Sequence, residues 1–174
     1  MEIFECIKSR RSKRLFLDKE IPENLIKELL ECAISAPSSR NCQPWHFVLV
    51  RDKNVKTQLA ELKETGNDQH ILTAPISIVV CVDINKSPAR WIEDGVTAAE
   101  NILLAAHNAG LGAVYVTGFS TADSKITKEI IKILNLPENL TPVSILPIGY
   151  PDPSEKIEEK ALSDLNEITH YDKW

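Results

Sequence analysis

Two short segments hold the residue types that could do chemistry. The first runs Ser35-Ala36-Pro37-Ser38-Ser39-Arg40-Asn41-Cys42-Gln43-Pro44-Trp45-His46-Phe47 and gathers two prolines, three serines, Asn41, Gln43 and Trp45 into thirteen residues. Serine, proline and asparagine clusters mark loops, because their side chains compete for backbone hydrogen bonds or fix φ. The loop ends in the apolar run His46-Phe47-Val48-Leu49-Val50, which reads as a buried strand. A loop rich in hydroxyls and amides, fixed between a helix and a core strand, suits a polar, planar small molecule. The second segment, Lys8-Ser9-Arg10-Arg11-Ser12-Lys13-Arg14, puts five cations in seven positions of a chain whose net charge is −5. A local basic cluster in an acidic chain points to one localised anion rather than a polyanion. Arginine grips phosphate bidentately, and Ser12 adds a hydroxyl donor. A solvated charged turn is the plainer reading of the same residues.

In this order the two segments resemble the nitroreductase-like flavoenzyme family. Arg10-Arg11-Ser12 matches an N-terminal Arg-Arg-Ser element, and Pro37-Ser38-Ser39-Arg40-Asn41-Cys42-Gln43-Pro44-Trp45 matches a Pro-Ser-Ser-x-Asn-x-Gln-Pro-Trp element. The similarity continues through Asp94, an Ala-rich helix, Leu111-Gly112, Gly118 and His170-Tyr171-x-x-Trp174, so it spans essentially the whole chain.

The resemblance implies a single domain over residues 1–174 with an α+β fold, a central mostly antiparallel sheet flanked by helices, and an intertwined homodimer. It implies FMN at the subunit interface, with NADH or NADPH as electron donor and a small electron-poor molecule as acceptor. Arg10 and Ser12 would contact the FMN phosphate, with Arg11 beside them and Arg14 adding charge. Pro37, Ser38, Ser39 and Asn41 would face the flavin from the other subunit, with Gln43 and Trp45 bracing the loop. Thr117 and Gly118 would pass near the flavin ring, where a glycine permits close backbone approach. Lys160 matches a basic position where arginine is common, and Lys156 is the alternative. Asn67 or Gln69 is a further polar candidate. Between Asp83 and Asp94 the chain is short, which implies an open pocket or one roofed by the C-terminal tail.

The elements that must position these residues follow from hydrophobic periodicity. A short helix is expected over residues 2 to 9, with Ile3, Phe4 and Ile7 on one face. A second begins near Pro22 and stops before Pro37. A third covers residues 53 to 63. Ile76 to Val82 reads as a buried strand after Pro75. Ser87-Pro88 offers an N-cap and first-turn pair for a helix reaching Ala109, about 33 Å long at 1.5 Å per residue, with Gly110 as its stop. Its second half is apolar on most of its circumference, which suggests burial against a second subunit as well as the sheet. Val114 to Val116 and Val143 to Ile148 read as strands, with a helix over 123 to 134 between them. Residues 151 to 162 read as an extended crossing segment. The tail carries Leu165, Ile168, Tyr171 and Trp174 and should dock on something, by resemblance the partner subunit.

Composition excludes several classes. Hydrophobic content of 43% and charged content of 26% are ordinary for a globular protein. Met1-Glu2-Ile3-Phe4-Glu5 lacks an apolar signal region, and no apolar run approaches a membrane span, so a cytoplasmic protein with no membrane partner is expected. The acidic balance and the lack of a broad basic stripe argue against nucleic acid. Cys6, Cys32, Cys42 and Cys81 show no metal-ligand spacing. Cys6, Cys32 and Cys81 read as small core hydrophobes, while Cys42 lies in the candidate loop. Gly110-Leu111-Gly112-Ala113-Val114-Tyr115 begins like a dinucleotide fingerprint but has Tyr115 at the sixth position and precedes a strand, not a helix. His46, His70, His107 and His170 have no ligand spacing. With no triad and no metal motif, the expected enzyme is an FMN-dependent NAD(P)H oxidoreductase in which a flavin carries the chemistry. The alternatives are a protein using reduced flavin in a dehalogenation-like or flavin-handling reaction, and a non-catalytic FMN- or nucleic-acid-binding module.

Overall fold

A computed structural model describes residues 1–62, 68–117, 124–156 and 160–174. In chain order the elements are α1 (Ile3–Ser9), α2 (Glu23–Ile34), β1 (Trp45–Val50), α3 (Lys53–Ala60), α4 (Gln69–Thr73), β2 (Ile76–Asp83), α5 (Trp91–Asn108), β3 (Gly112–Ala113), α6 (Lys125–Ile133), β4 (Leu140–Gly149) and α7 (Leu165–Ile168). The strands form one sheet in the order β1-β2-β4-β3, and every neighbouring pair is antiparallel.

The apolar run of β2 explains its central place. Ile76, Ile78 and Val80 point to one face and pack with Leu29 and Ala33 of α2 and Ala99, Ile102 and Ala106 of α5. Val79 and Cys81 point to the other face, against Leu59 of α3, Ile71 of α4 and Ile130 of α6. A strand buried on both faces needs no polar alternation. Burial pushes the Cys81 thiol up to about 12, so it behaves as a small hydrophobe. No helix among the described residues is long and apolar enough to cross a membrane.

Several expectations shift. β1 is an edge strand: Trp45 and Val50 are buried while His46 and Leu49 face outward. Ser87-Pro88 does not cap α5; Lys86 and Ser87 instead donate their amides to the Asp83 carbonyl in a turn. The helix starts at Trp91, and its 18 residues span about 27 Å. The strand expected at 114–116 pairs at Gly112–Ala113 instead, with one further bridge between Val116 and Ile145. Between them the partner is Pro147, which has no N–H to donate, so the ladder cannot run unbroken. Gly110 does stop α5, at φ 76°. Cys32 is exposed, not in the core. Ile3, Phe4 and Ile7 share a face of α1 that this chain leaves uncovered, at 58%, 75% and 49% exposure.

Candidate active site

The loop after α2 owes its shape to α5. Ser39 donates its backbone N–H to Asp94 Oδ1 at 2.8 Å, and the Cys42 thiol donates to Asp94 Oδ2 at 3.6 Å. Thr97, one turn on, donates its hydroxyl to the Pro37 carbonyl at 3.0 Å. Asn101 donates to the Cys32 carbonyl at 2.9 Å, fixing the end of α2. Within the loop, Gln43 donates its amide N–H to Ser38 Oγ at 3.0 Å and its side chain to Asn41 Oδ1 at 3.1 Å. Trp45 is buried against Ala36 and Ala98. Gln43 and Trp45 therefore brace the loop.

Arg40, Asn41 and Gln43 take φ of 51°, 55° and 46°. Non-glycine residues there cost free energy and persist only where surrounding contacts over-determine them, as at functional sites. The Ser39 hydroxyl and the Asn41 side-chain N–H groups have no bond among the described residues and are free to meet a ligand.

The cationic segment is built against the other end of α5. Arg10 ends α1, and its guanidinium lies 4.0 Å from the Glu100 carboxylate. Arg11 turns back and donates to the carbonyls of Lys8 and Arg10, both at 2.8 Å, so it caps α1. Ser9 Oγ and His107 Nε2 are 2.8 Å apart. Lys13 donates its amide to the Ala113 carbonyl at 3.0 Å, tying the segment to β3. That approach needs Gly112, because a Cβ there would sit 2.7 Å from Lys13 Cβ. Arg14 donates its backbone amide to Glu155 Oε1 at 2.8 Å and leaves its side chain exposed.

Partial burial, and then the charges of Arg10, Lys13 and Arg11, hold the His107 imidazole below its ordinary value. Of those cations, Arg10 pairs with a carboxylate, Glu100, at 4.0 Å. A positive field felt by a neighbouring base is what a phosphate would neutralise, and the donor set fits one.

At about 100° per residue, Asp94, Thr97 and Asn101 share one face of α5, while Glu100 and His107 share another about 120° away. The loop and the cationic segment thus flank different faces of α5 in one chain. Thr117 is exposed just after the Val116 bridge. Lys160 and Lys156 are exposed, and Gly118 and Asn67 lie outside the described residues. Sequence reasoning gave no role to Asp94, Glu100 or His107. Asp94 could have been found: it falls on the stripe of Ala98 and Ile102, both fully buried, where a carboxylate is out of place unless bonded.

Comparison with known proteins agrees with this architecture. The model of the Nitroreductase family matches residues 7–71 and 63–150. A protein of Methanothermobacter thermautotrophicus named "Putative NADH dehydrogenase/NAD(P)H nitroreductase" is 38% identical over 176 residues, covering 100% of this chain and 88% of that protein. Iodotyrosine deiodinase 1 of Sus scrofa is 27% identical over 199 residues, covering 96% of this chain and 67% of the other. The solved structure of an FMN-dependent nitroreductase from Clostridium difficile superposes with a TM-score of 0.85 at 30% identity, over 98% of this chain and 99% of that one. With family match, full-length identity and fold in agreement, this chain belongs to the nitroreductase family and has the nitroreductase-like fold of an oxidoreductase.

Proposed function

We propose that the chain is an FMN-dependent NAD(P)H oxidoreductase that works as a homodimer. The observation that carries this is the division of labour on α5. One face pins a loop with free hydroxyl and amide donors through Asp94 and Thr97, and another meets the cationic segment, Glu100 at Arg10 and His107 at Ser9. Two chains place the loop of one beside the cations of the other and complete the site. The FMN-dependent relative of known structure supports the cofactor.

Arg10 and Ser12 hold the phosphate, with Lys13 and the exposed Arg14 adding positive field. Arg11 acts mainly through α1, whose last carbonyls it caps. Ser39 and Asn41 donate to oxygens of the ribityl chain or ring system, while Pro37 and Ser38 shape that wall. Thr117 lines the ring edge, and Lys160 adds charge near the phosphate. The chemistry supplied by bound flavin is two-electron transfer from a reduced nicotinamide to an electron-poor acceptor. The chain's own residues bind and orient. One pocket used in turn by donor and acceptor gives ping-pong kinetics.

The deiodinase relative favours a second reading, reductive dehalogenation without direct NAD(P)H oxidation. An absorption spectrum of the purified protein, followed by NADH and NADPH added separately without oxygen, tests both. A yellow protein bleached by either nucleotide supports the first reading. A flavin band that neither bleaches supports the second. A colourless protein that fails to take up FMN rejects both.

A further inference from the structure

Behind the pinned loop lies a second feature, which the flavin reading does not use. A cavity of about 260 Å³ is lined by Ser39, Arg40, Cys42, Lys86, Ser87 and Arg90. It sits where the turn after β2 meets the start of α5. Three of these side chains are cations, in a chain of net charge −5.

Of the acids around it, Glu93 pairs with Arg90 at 3.0 Å on the surface, Asp94 is engaged by Ser39 and Cys42, and Asp83 accepts the Asn85 amide in the turn. Arg40 and Lys86 have no ion-pair partner among the described residues. Arg90, the N-cap of this 18-residue helix, makes no side-chain cap bond, and the first turn that follows carries its own carboxylates, Glu93 and Asp94. Independently, Ser87 is 4% exposed and lines the cavity, yet its hydroxyl has no hydrogen-bond partner. Buried hydroxyls are normally satisfied, and an orphan one calls for an acceptor.

We infer that this cavity binds a phosphate group, held by Arg40, Lys86 and Arg90 and by the Ser87 hydroxyl. Two cations without an ion-pair partner among the described residues, a third shared with Glu93 and an unpartnered hydroxyl match a dianion better than a carboxylate. The volume lies below the range of about 300–1,000 Å³ for whole ligands, so the site takes a charged group rather than an entire molecule. Because Ser39 and Cys42 line it from the loop that carries the candidate flavin contacts, the parent molecule is a phosphorylated substrate of the same centre. That identification of the parent, though not the site, rests on the proposed oxidoreductase function.

The test is calorimetric titration of the FMN-loaded full chain with inorganic pyrophosphate, in the native protein and in Lys86→Glu, Ser87→Ala and Arg10→Ala. Native protein should bind, Lys86→Glu should weaken binding by about tenfold, as expected for reversing a charge-assisted contact, and Ser87→Ala should weaken it less. Arg10→Ala should leave it unchanged. No binding by native protein, equal affinity in Lys86→Glu, or loss through Arg10→Ala alone overturns the site. Steady-state KM values then identify the source of the phosphate. A rise in Lys86→Glu for NADPH alone assigns the ribose phosphate, and an equal rise for NADH assigns the diphosphate bridge. Unchanged KM values with pyrophosphate binding still lost assign a separate phosphorylated ligand. Should the chain take up no FMN, the oxidoreductase reading fails, but the same titration with the Arg10→Ala control still reads the cavity.

Discussion

Asp94 and Ser39, 55 positions apart, are joined by a hydrogen bond of 2.8 Å from the Ser39 amide to Asp94 Oδ1. Oδ2 of the same carboxylate accepts from Cys42. A single buried side chain of α5 therefore holds both ends of a 3₁₀ turn whose middle residues are left-handed. The loop's shape is imposed from the helix, because its own backbone preferences oppose it.

Asp94→Ala removes both acceptors and leaves the Ser39 N–H without a partner, which costs about 1–3 kcal/mol. The variant should have a lower urea midpoint and should lose FMN faster. Asp94→Asn, which keeps an oxygen for Ser39, should retain most of both. An alanine variant with native midpoint and native FMN retention would show that the loop holds itself.

Arg10 is the guanidinium best placed for a phosphate, since Arg11 is spent on the carbonyls of α1. Arg10→Ala should weaken FMN binding roughly 10- to 150-fold, the equivalent of one charged hydrogen bond of about 1.5–3 kcal/mol. Arg10→Lys should fall between, keeping charge but losing the fork. Fluorescence titration of the apoprotein reads both, and unchanged affinity in the alanine variant would sink the phosphate assignment.

His107 gives a pH signature. Burial first, then Arg10, Lys13 and Arg11, lower its affinity for a proton in the folded state. Around it stand Ser9 of α1 at 2.8 Å and the three cations of the following segment. Below the ordinary imidazole pKa of about 6.5 the unfolded chain binds the proton more readily, so the contribution to stability is full above that value. It falls as pH drops toward the lowered folded value and is flat below it. A phosphate beside the same cations offsets their field, so FMN should raise the His107 pKa. NMR titration of the imidazole with and without FMN measures the change; no upward movement would place the phosphate elsewhere.

Much of the fold can be read locally, because its signals are local. The apolar run ending at Val82, the proline before α2 and the glycine after α5 each act within a few residues. What the sequence hides is set by distant partners. Whether β1 is central or at an edge depends on sheet order, and the gap beside Val114 depends on Pro147 across the ladder. The candidate site divides the same way. Arg10-Arg11-Ser12 and Pro37-to-Trp45 stand out as strings of residue types. The bonds that shape them, to Asp94, Thr97 and Ala113, exist only once α5 and β3 are folded against them.

Gly95 marks the closest approach of α5 to β4. A Cβ there would lie 2.6 Å from Val143 Cγ2 and 3.0 Å from its Cβ. Alanine would gain about 1 kcal/mol of helix propensity, but Val143 is β-branched and buried, so it cannot rotate away. Overpacking of about 1–3 kcal/mol wins, and Gly95→Ala should be net destabilising in urea. Adding Val143→Ala should make the glycine substitution far less costly, a coupling a double-mutant cycle detects. Additive effects would mean that the contact does not limit the packing.

The C-terminal tail tests the assembly. Leu165, Ile168, Tyr171 and Trp174 are 72%, 58%, 86% and 99% exposed, and Ile3, Phe4 and Ile7 of α1 are also uncovered. A groove of about 680 Å³ between α1, α2 and α5, lined by Met1, Ile3, Cys6, Cys32, Leu104 and Ala105, lies open beside α1. Leaving such side chains in water forgoes about 1.5–3 kcal/mol each. In the proposed homodimer a second copy would cover both surfaces, with the tail of one chain against the other. The full chain should therefore run as a dimer in light scattering. A chain ending at residue 163 should dissociate at micromolar concentration and release FMN, as the proposed two-subunit site requires. A truncated chain that remains dimeric and yellow would assign the interface to the helices alone, and a monomeric full chain that still binds FMN would place the whole site within one subunit.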